Sequence, residues 1–273
     1  MNISLVQMVS SRDRDTNLVA ADRLITEAAK SSDYIFLPEN FAALAADSPS
    51  EVGQAETNSE GPVRSFLSDI ASRLSLWIFA GTFPLAVRPD GTEIEDGRVR
   101  AASLVVDPNG REACRYDKIH MFDADVTDNQ RRYRESAVFE PGSDVVSVDC
   151  PLGKVGLSVC YDLRFPELYR RLFEEEVDVI TAPSAFTEVT GKAHFELLMR
   201  SRAVENTCFM VGACQGGVHD SGRRTWGHSM VVDPWGVVLD QLDHGEGILT
   251  VNVDMNERRR IRSEMPFHKQ RRL

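Results

Sequence analysis

No stretch of the 273-residue chain is apolar for long enough to cross a bilayer as a helix, so an integral helical membrane protein is excluded. A basic surplus is missing too. Lys and Arg number 31 against 42 Asp and Glu, a formal net charge of −11, which argues against a protein that grips phosphate backbones through basic surface. Neither nucleic acid nor a membrane is therefore an expected partner. The opening residues, MNISLVQMVSSRDRD, carry no charged n-region and no cleavage pattern, and are expected to form a first strand. Cysteine is sparse and badly placed for cross-linking. Cys114, Cys150, Cys160, Cys208 and Cys214 make no CxxC, and their odd number disfavours a disulfide framework. The expected compartment is the cytoplasm, where thiols stay reduced. The histidines are scattered, none at metal-ligand spacing from another His or Cys, so no metal is expected.

What is present is globular composition, 42% hydrophobic and 27% charged, with material for a sizeable core. The pattern of elements is written twice. Residues 2–41 run strand (ISLVQM), helix (apolar Leu18, Ala21, Ile25, Ala28 and Ala29), strand (DYIFLPENF). Residues 154–186 repeat that order with KVGLSVCY, PELYRRLF and VDVITAPSAF. A helix then follows in each, at 62–75 with Pro62 suited to its first position and at 192–206, and after it a strand, LWIFAGTF or CFMVGACQ. Each unit ends in a strand and an Asp-Pro-x-Gly reversal, SLVVDPNG and SMVVDPWG. Two similar α/β halves, about 2–117 and 154–254, are expected to pack sheet against sheet. That gives helix, sheet, sheet, helix layers within one domain spanning residues 1–273.

Ligands of open α/β sheets gather beyond the carboxyl ends of strands, and Glu39 and Cys160 each stand at such an end, one per half. Lys118 follows the strand after the first reversal. Singly, each has a bland reading, as a solvated charge or a core thiol. Together they make a working set: a thiol nucleophile, a carboxylate able to take its proton, and an ammonium able to hold an oxyanion. The helix after Cys160 also aims its N-terminal dipole toward the thiol. Cys208 and Cys214, on one face of one strand, and Cys114 and Cys150 read as packing. His228 reads as structural, on a strand; His194, opening a helix, reads as a cap, a core residue or a cleft wall.

The strings FLPENF, YDKIHMFD and GLSVCYDLRFPEL, in that order, resemble the carbon-nitrogen hydrolase (nitrilase) superfamily, as do PSAFTEVTGKAHFELLMRSRAVENTCFMV and GHSMVVDPWG. The resemblance covers nearly the whole chain and implies an αββα sandwich with a catalytic Glu39, Lys118 and Cys160. It implies a cysteine thioester intermediate, a backbone N–H of Tyr161 as second oxyanion donor, and no cofactor. A further glutamate of the superfamily matches Glu135 or, close by, Glu140. PSAF and GHSMVVDPWG are similar to the Nit-type amidase branch. The implied substrate is a small 2-oxo acid amide bearing a carboxylate, deaminated glutathione before α-ketoglutaramate, with Phe186 lining its site. Nitriles and carbamoyl amides remain alternatives. Arg164 is the candidate clamp for the substrate carboxylate, against an ion pair with Asp162 or Glu167.

The polar stretch 47–60 is expected to loop over the site, as a lid or as plain surface, and segments 120–140 and 215–225 to wall it. The segment 255–273, basic, is expected to be a tail or a contact with a second subunit in a homodimer or higher homo-oligomer. Two other classes compete with an enzyme of this kind: a silent binding protein of the same fold, and a thiol redox protein, for which no resolving cysteine stands near Cys160.

Overall fold

The structure, a computed structural model, describes residues 1–56, 60–128 and 130–272; residues 57–59 of the 47–60 stretch and the final residue of the 255–273 segment lie outside the described residues. Its strands are β1 (Asn2–Gln7), β2 (Tyr34–Phe36), β3 (Trp77–Phe79), β4 (Phe83–Leu85), β5 (Arg100–Val106), β6 (Glu112–Asp117), β7 (Asp123–Asp125), β8 (Arg132–Arg134), β9 (Ser147–Cys150), β10 (Gly153–Leu157), β11 (Val179–Thr181), β12 (Phe209–Gly212), β13 (Met230–Val232), β14 (Val238–Gln241) and β15 (Gly247–Asn252). Its helices are α1 (Arg14–Ala28), α2 (Pro49–Ala55), α3 (Pro62–Leu74), α4 (Pro166–Glu174), α5 (Glu188–Asn206) and α6 (Met255–Glu264). None of the described helices is long and apolar enough to cross a membrane.

One sheet has the order β15-β1-β2-β3-β5-β4, with β6 paired to β5; the other runs β14-β13-β12-β11-β10-β9. Within each, three parallel strands (β1-β2-β3, β10-β11-β12) are continued by an antiparallel one, β5 or β13. The twice-written pattern is thus real. Strand alternation sorts the side chains of the first sheet between two cores. Ile3, Leu5, Tyr34, Phe36, Phe79 and Val105 join Leu157, Val179 and Met210 of the second sheet. Their neighbours Val6, Ile35, Ile78 and Leu104 instead pack with Ala21 and Leu24 of α1 and Leu67 and Ile70 of α3. On the far side Leu168 and Leu172 of α4 and Phe195 and Met199 of α5 complete the four αββα layers.

Local chemistry starts and stops these elements. Pro62 and Pro166 stand in the first turns of α3 and α4, where a missing N–H costs nothing. Asp13 caps α1 by accepting from the Thr16 N–H at 2.8 Å. The two reversals match in detail: Gly110 N–H donates to Asp107 O and Gly236 N–H to Asp233 O, both at 2.9 Å, with φ of 76° and 87°. One strand breaks the division into halves. β15, from the second half, pairs antiparallel with β1 along its full length, Asn2 opposite Asn252, and closes the edge of the first sheet. Cys208 and Cys214 flank β12 rather than sharing it, and His228 precedes β13 in a left-handed turn (φ 58°) instead of lying on a strand.

Gly81 fixes the loop that leaves β2. Its φ is 51°, and a Cβ there would stand 1.9 Å from the Pro38 carbonyl oxygen, backbone that cannot turn aside. Gly81→Ala should therefore cost at least about 2 kcal/mol in denaturant unfolding, through overlap and a left-handed φ together; a variant as stable as the parent would mean that the loop yields freely.

Candidate active site

Three strand ends converge. β2 runs on through Leu37, whose N–H donates to Phe79 O at 2.9 Å, into Pro38 and Glu39. β6 hands over to Lys118, its N–H on Ala101 O at 3.0 Å, and β10 leads to Cys160. Because the sheets lie face to face, the first sheet delivers the carboxylate and the ammonium and the second delivers the thiol. All three are buried: Glu39 is 3% exposed, Lys118 1% and Cys160 8%.

Lys118 Nζ donates to Glu39 Oε1 at 2.7 Å and to both oxygens of Glu135 at 2.8 Å. The other Glu39 oxygen accepts the Ala185 N–H at 2.8 Å. Burial opposes ionisation of Glu39, but the Lys118 charge and the hydrogen bonds from Lys118 and the Cys160 thiol hold its pKa below the ordinary carboxylate value. Burial pushes Glu135 up, and the Glu39 charge adds to it against the pull of Lys118. Burial also disfavours the Lys118 cation, yet Glu135 and Glu39 raise its pKa well above the ordinary value. Cys160 is driven well above the usual thiol value, by burial first and then by the Glu39 carboxylate, despite Lys118. The resting set is a neutral thiol, an ionised base and a cation.

Cys160 opens a tight 3-10 turn, Cys160–Arg164, and is itself left-handed at φ 49°, a conformation that costs a non-glycine residue energy and is kept only when its surroundings dictate it. Asp162 supplies the dictation. Fully buried, it accepts from Val159 N–H (2.8 Å), Tyr116 OH (2.7 Å) and His120 N–H (3.0 Å), and its Oδ1 lies 2.7 Å from His120 Nδ1. The elbow of the second sheet is thereby tied to the β6–Lys118 segment of the first.

Above Glu39, Lys118 and Cys160 lies a cleft of ≈ 1100 Å³, counting its open mouth. Ala45, Ala46 and Pro49 line it, so the stretch expected as a loop contributes the start of α2, a helix docked by Gly53 against β4. Phe122, Tyr133 and Glu135 line it from the 120–140 segment, Tyr161, Arg164 and Phe186 from the second sheet's loops. Of the two candidate glutamates, Glu135 reaches Lys118; Glu140 is held by Arg88 (3.2 Å) and Arg100 (3.3 Å) and stays outside. Arg164 pairs with neither Asp162 nor Glu167 among the described residues. Its guanidinium lies against His194 Nδ1 at 3.3 Å and over the rings of Tyr161 and Phe186. Three contributors escaped the sequence: Asp162 as the brace, the Ala185 N–H on Glu39, and Arg223, which also lines the cleft.

Histidine spacing proved a poor guide in one place. His228, Asp243 and His244 present ligand atoms within 4.8 Å of one another, although no sequence spacing marked them. Asp243 and His244 are exposed, and His228 is stacked on Trp226 with centroids 3.9 Å apart.

The model of the family described as Carbon-nitrogen hydrolase matches residues 2–263. The chain belongs to that family. It is 39% identical over 267 residues to a deaminated glutathione amidase of Yersinia enterocolitica, covering 97% of this chain and 91% of the relative. It is 34% identical over 273 residues to the human deaminated glutathione amidase, covering 99% and 82%. Among solved structures, Saccharomyces cerevisiae Nit3, a member of branch 10 of the nitrilase superfamily, superposes with a TM-score of 0.87 at 29% identity, covering 100% of this chain and 97% of that one. The C. elegans NitFhit protein superposes equally, with a TM-score of 0.87 at 33% identity over 99% of this chain, which spans only 65% of that longer one. As a member of the family the protein is a hydrolase of carbon-nitrogen bonds, on the αββα fold expected from its sequence.

A thiol held neutral at rest should give no thiolate signal. The ultraviolet absorbance difference between wild type and Cys160→Ala is expected to lack the thiolate band at any pH below the ordinary thiol value of 9.0; a band growing in between neutrality and that value would reveal a preformed ion.

Proposed function

We propose that the protein is an amidase that cleaves deaminated glutathione through a thioester on Cys160. The observation that carries this reading is the buried Lys118 ammonium shared by Glu39 and Glu135 in the same cleft as the buried Cys160 thiol. Glu39 takes the Cys160 proton as sulfur attacks the amide carbonyl, whose π electrons move to oxygen. If one Lys118 N–H is shared by the two Glu135 oxygens, another remains for the oxyanion, and the Tyr161 N–H is the second donor. Collapse breaks the C–N bond, and Glu39 passes its proton to the departing amine. Water then attacks the thioester, giving its proton to Glu39, which returns it to sulfur as the C–S bond breaks. Glu135 orients Lys118 and that water. None of these steps calls on a cofactor.

The choice of substrate is supported by the deaminated glutathione amidases this chain resembles. Physically it is supported by Arg164, a fork without a carboxylate partner among the described residues, with Phe186 packed beneath it. We also propose a homodimer that uses the outer face of α5. Leu197 (64% exposed) and Val204 (46%) sit on one side of that helix, and Trp235 (57%) continues the apolar patch, Gly236 lying against Val204. On this reading the 255–273 segment is not free to be the main contact along its length, because Arg258 of α6 is buried on the carbonyls of Glu176 and Val177. Light scattering of a Leu197→Glu variant tests the dimer, which should fall to monomer. The five cysteines, all unpaired, accord with a cytoplasmic setting.

Cys160→Ala should abolish turnover and leave the fold intact, and mass spectrometry of quenched wild type should find the acyl group on Cys160; a disulfide there instead would point to redox chemistry. Lys118→Met should lose at least about 3 kcal/mol of transition-state stabilisation, the scale of one oxyanion donor, and a loss under tenfold in kcat/KM would place Lys118 outside the reaction. In parallel kinetics deaminated glutathione should exceed α-ketoglutaramate, and both should far exceed simple nitriles. A reversed order of the two amides would make the enzyme an omega-amidase.

A further inference from the structure

The base of the cleft and its walls carry opposite charge. Lys118 is outnumbered by Glu39 and Glu135, so the catalytic group is net negative, yet two guanidinium groups line the same cleft with no carboxylate on either among the described residues. Arg164 is one. Arg223 is the other, and its bonding is incomplete: Nη2 donates to Ala185 O at 2.8 Å, the guanidinium lies over the Tyr133 ring at 5.6 Å, and the buried Nε has no hydrogen-bond partner. An arginine that lines a binding cleft with no carboxylate on it and with its hydrogen-bonding capacity unfilled is suited to an acceptor that arrives with the ligand.

The position of Arg223 relative to the nucleophile says which half of the ligand brings that acceptor. Ala185 holds Glu39 Oε2 through its N–H and Arg223 through its carbonyl, so the arginine is linked to the base by a single residue. After Lys118, Arg223 is the cation whose charge bears on Glu39. Glu39 must reach the departing nitrogen to protonate it, which puts the amine half of the substrate over Glu39 and toward Arg223. Arg164, four positions beyond Cys160 and resting on Tyr161 and Phe186, is left for the acyl half.

We propose that Arg223 forms a second carboxylate subsite, which takes the carboxylate of the leaving amine, so that the cleft selects amides bearing one carboxylate on each side of the scissile bond. The inference rests on the amidase reading given above. Deaminated glutathione has that form: a 2-oxo acid carboxylate in the acyl half and a glycine carboxylate at the end of the cysteinylglycine half. An extended dipeptide reaches about 7 Å, so the subsite requires Arg223 to lie within about that span of the scissile nitrogen. α-Ketoglutaramate releases ammonia and offers Arg223 nothing.

The test compares kcat/KM of wild type, Arg223→Gln and Arg223→Lys on three amides: deaminated glutathione, the same molecule with its glycine carboxylate converted to a carboxamide, and α-ketoglutaramate. Wild type should prefer the acid to its carboxamide by at least about tenfold, the scale of one charged hydrogen bond in a cleft. Arg223→Gln should lose that preference, chiefly through KM, as expected for a contact made equally in ground and transition states. It should also fall at least about tenfold further on deaminated glutathione than on α-ketoglutaramate. Arg223→Lys, which keeps the charge without the fork, should retain part of the preference, and decides the matter if the glutamine variant does not fold. A preference that survives in both variants, one absent from wild type, or equal losses on the two natural amides would overturn the subsite. Wild-type turnover of neither amide overturns the functional reading and the subsite with it; turnover of both with the preference untouched by substitution overturns the subsite alone.

Discussion

Everything at the centre of this molecule answers to one ammonium group placed between two carboxylates out of water. Isolated, any of the three charges would be too costly to bury. Arranged as they are, with Lys118 Nζ within 2.8 Å of Glu39 and Glu135, each carboxylate is tolerated because of the cation, and removal of Lys118 would leave two buried carboxylates with no charge between them. The cluster also sets the protonation of its neighbour. Glu39 stays ionised because Lys118 offsets its burial, and Cys160 stays neutral because it is buried, with the Glu39 charge adding to that. A proton donor and its acceptor are therefore held in contact in the states from which transfer can begin.

That arrangement explains why the fold is two sheets pressed together. A single sheet cannot aim a carboxylate and a thiol at one point from facing directions. Here the first sheet brings Glu39 and Lys118, the second brings Cys160, and the brace between them is the buried Asp162, which gathers Tyr116 and His120 from one side and Val159 from the other. The left-handed Cys160 is the local cost of turning the chain sharply just beyond β10, where the thiol lines the cleft.

Glu39 and Cys160 were legible as candidates because each follows an apolar strand with polar chemistry near its carboxyl end, a signal carried by adjacent residues; Lys118, after the polar strand β6, was legible by its place after the first reversal and by the family resemblance. The layers were legible for the same reason: strand and helix periods repeat locally. Glu135 could not be told from Glu140, because both follow the same short run and only the path of the chain decides that Arg88 and Arg100 claim the latter. Asp162 sits in a turn of charged residues and reads as a candidate ion-pair partner of Arg164; it is buried instead because Tyr116 and His120 arrive from a distant segment. Arg223 lies in a loop whose residues follow no period at all. The grouping of His228 with Asp243 and His244 likewise arises from two turns meeting at the surface. Contacts of that sort are made by tertiary structure, and one-dimensional spacing does not contain them.

The pairing of β15 with β1 bears on how the chain can be made. Among the described strands β1 is made before all the others and β15 after them, so that flank of the first sheet stays open while the strands between them are made. β9 holds the corresponding place beside β10 and is already at hand when β10 emerges. The second half can therefore complete its sheet from its own neighbourhood, while the first must wait with an unpaired edge, the kind that invites foreign strands. Closing that seam brings together residues 250 positions apart, a contact of the long-range kind that slows folding.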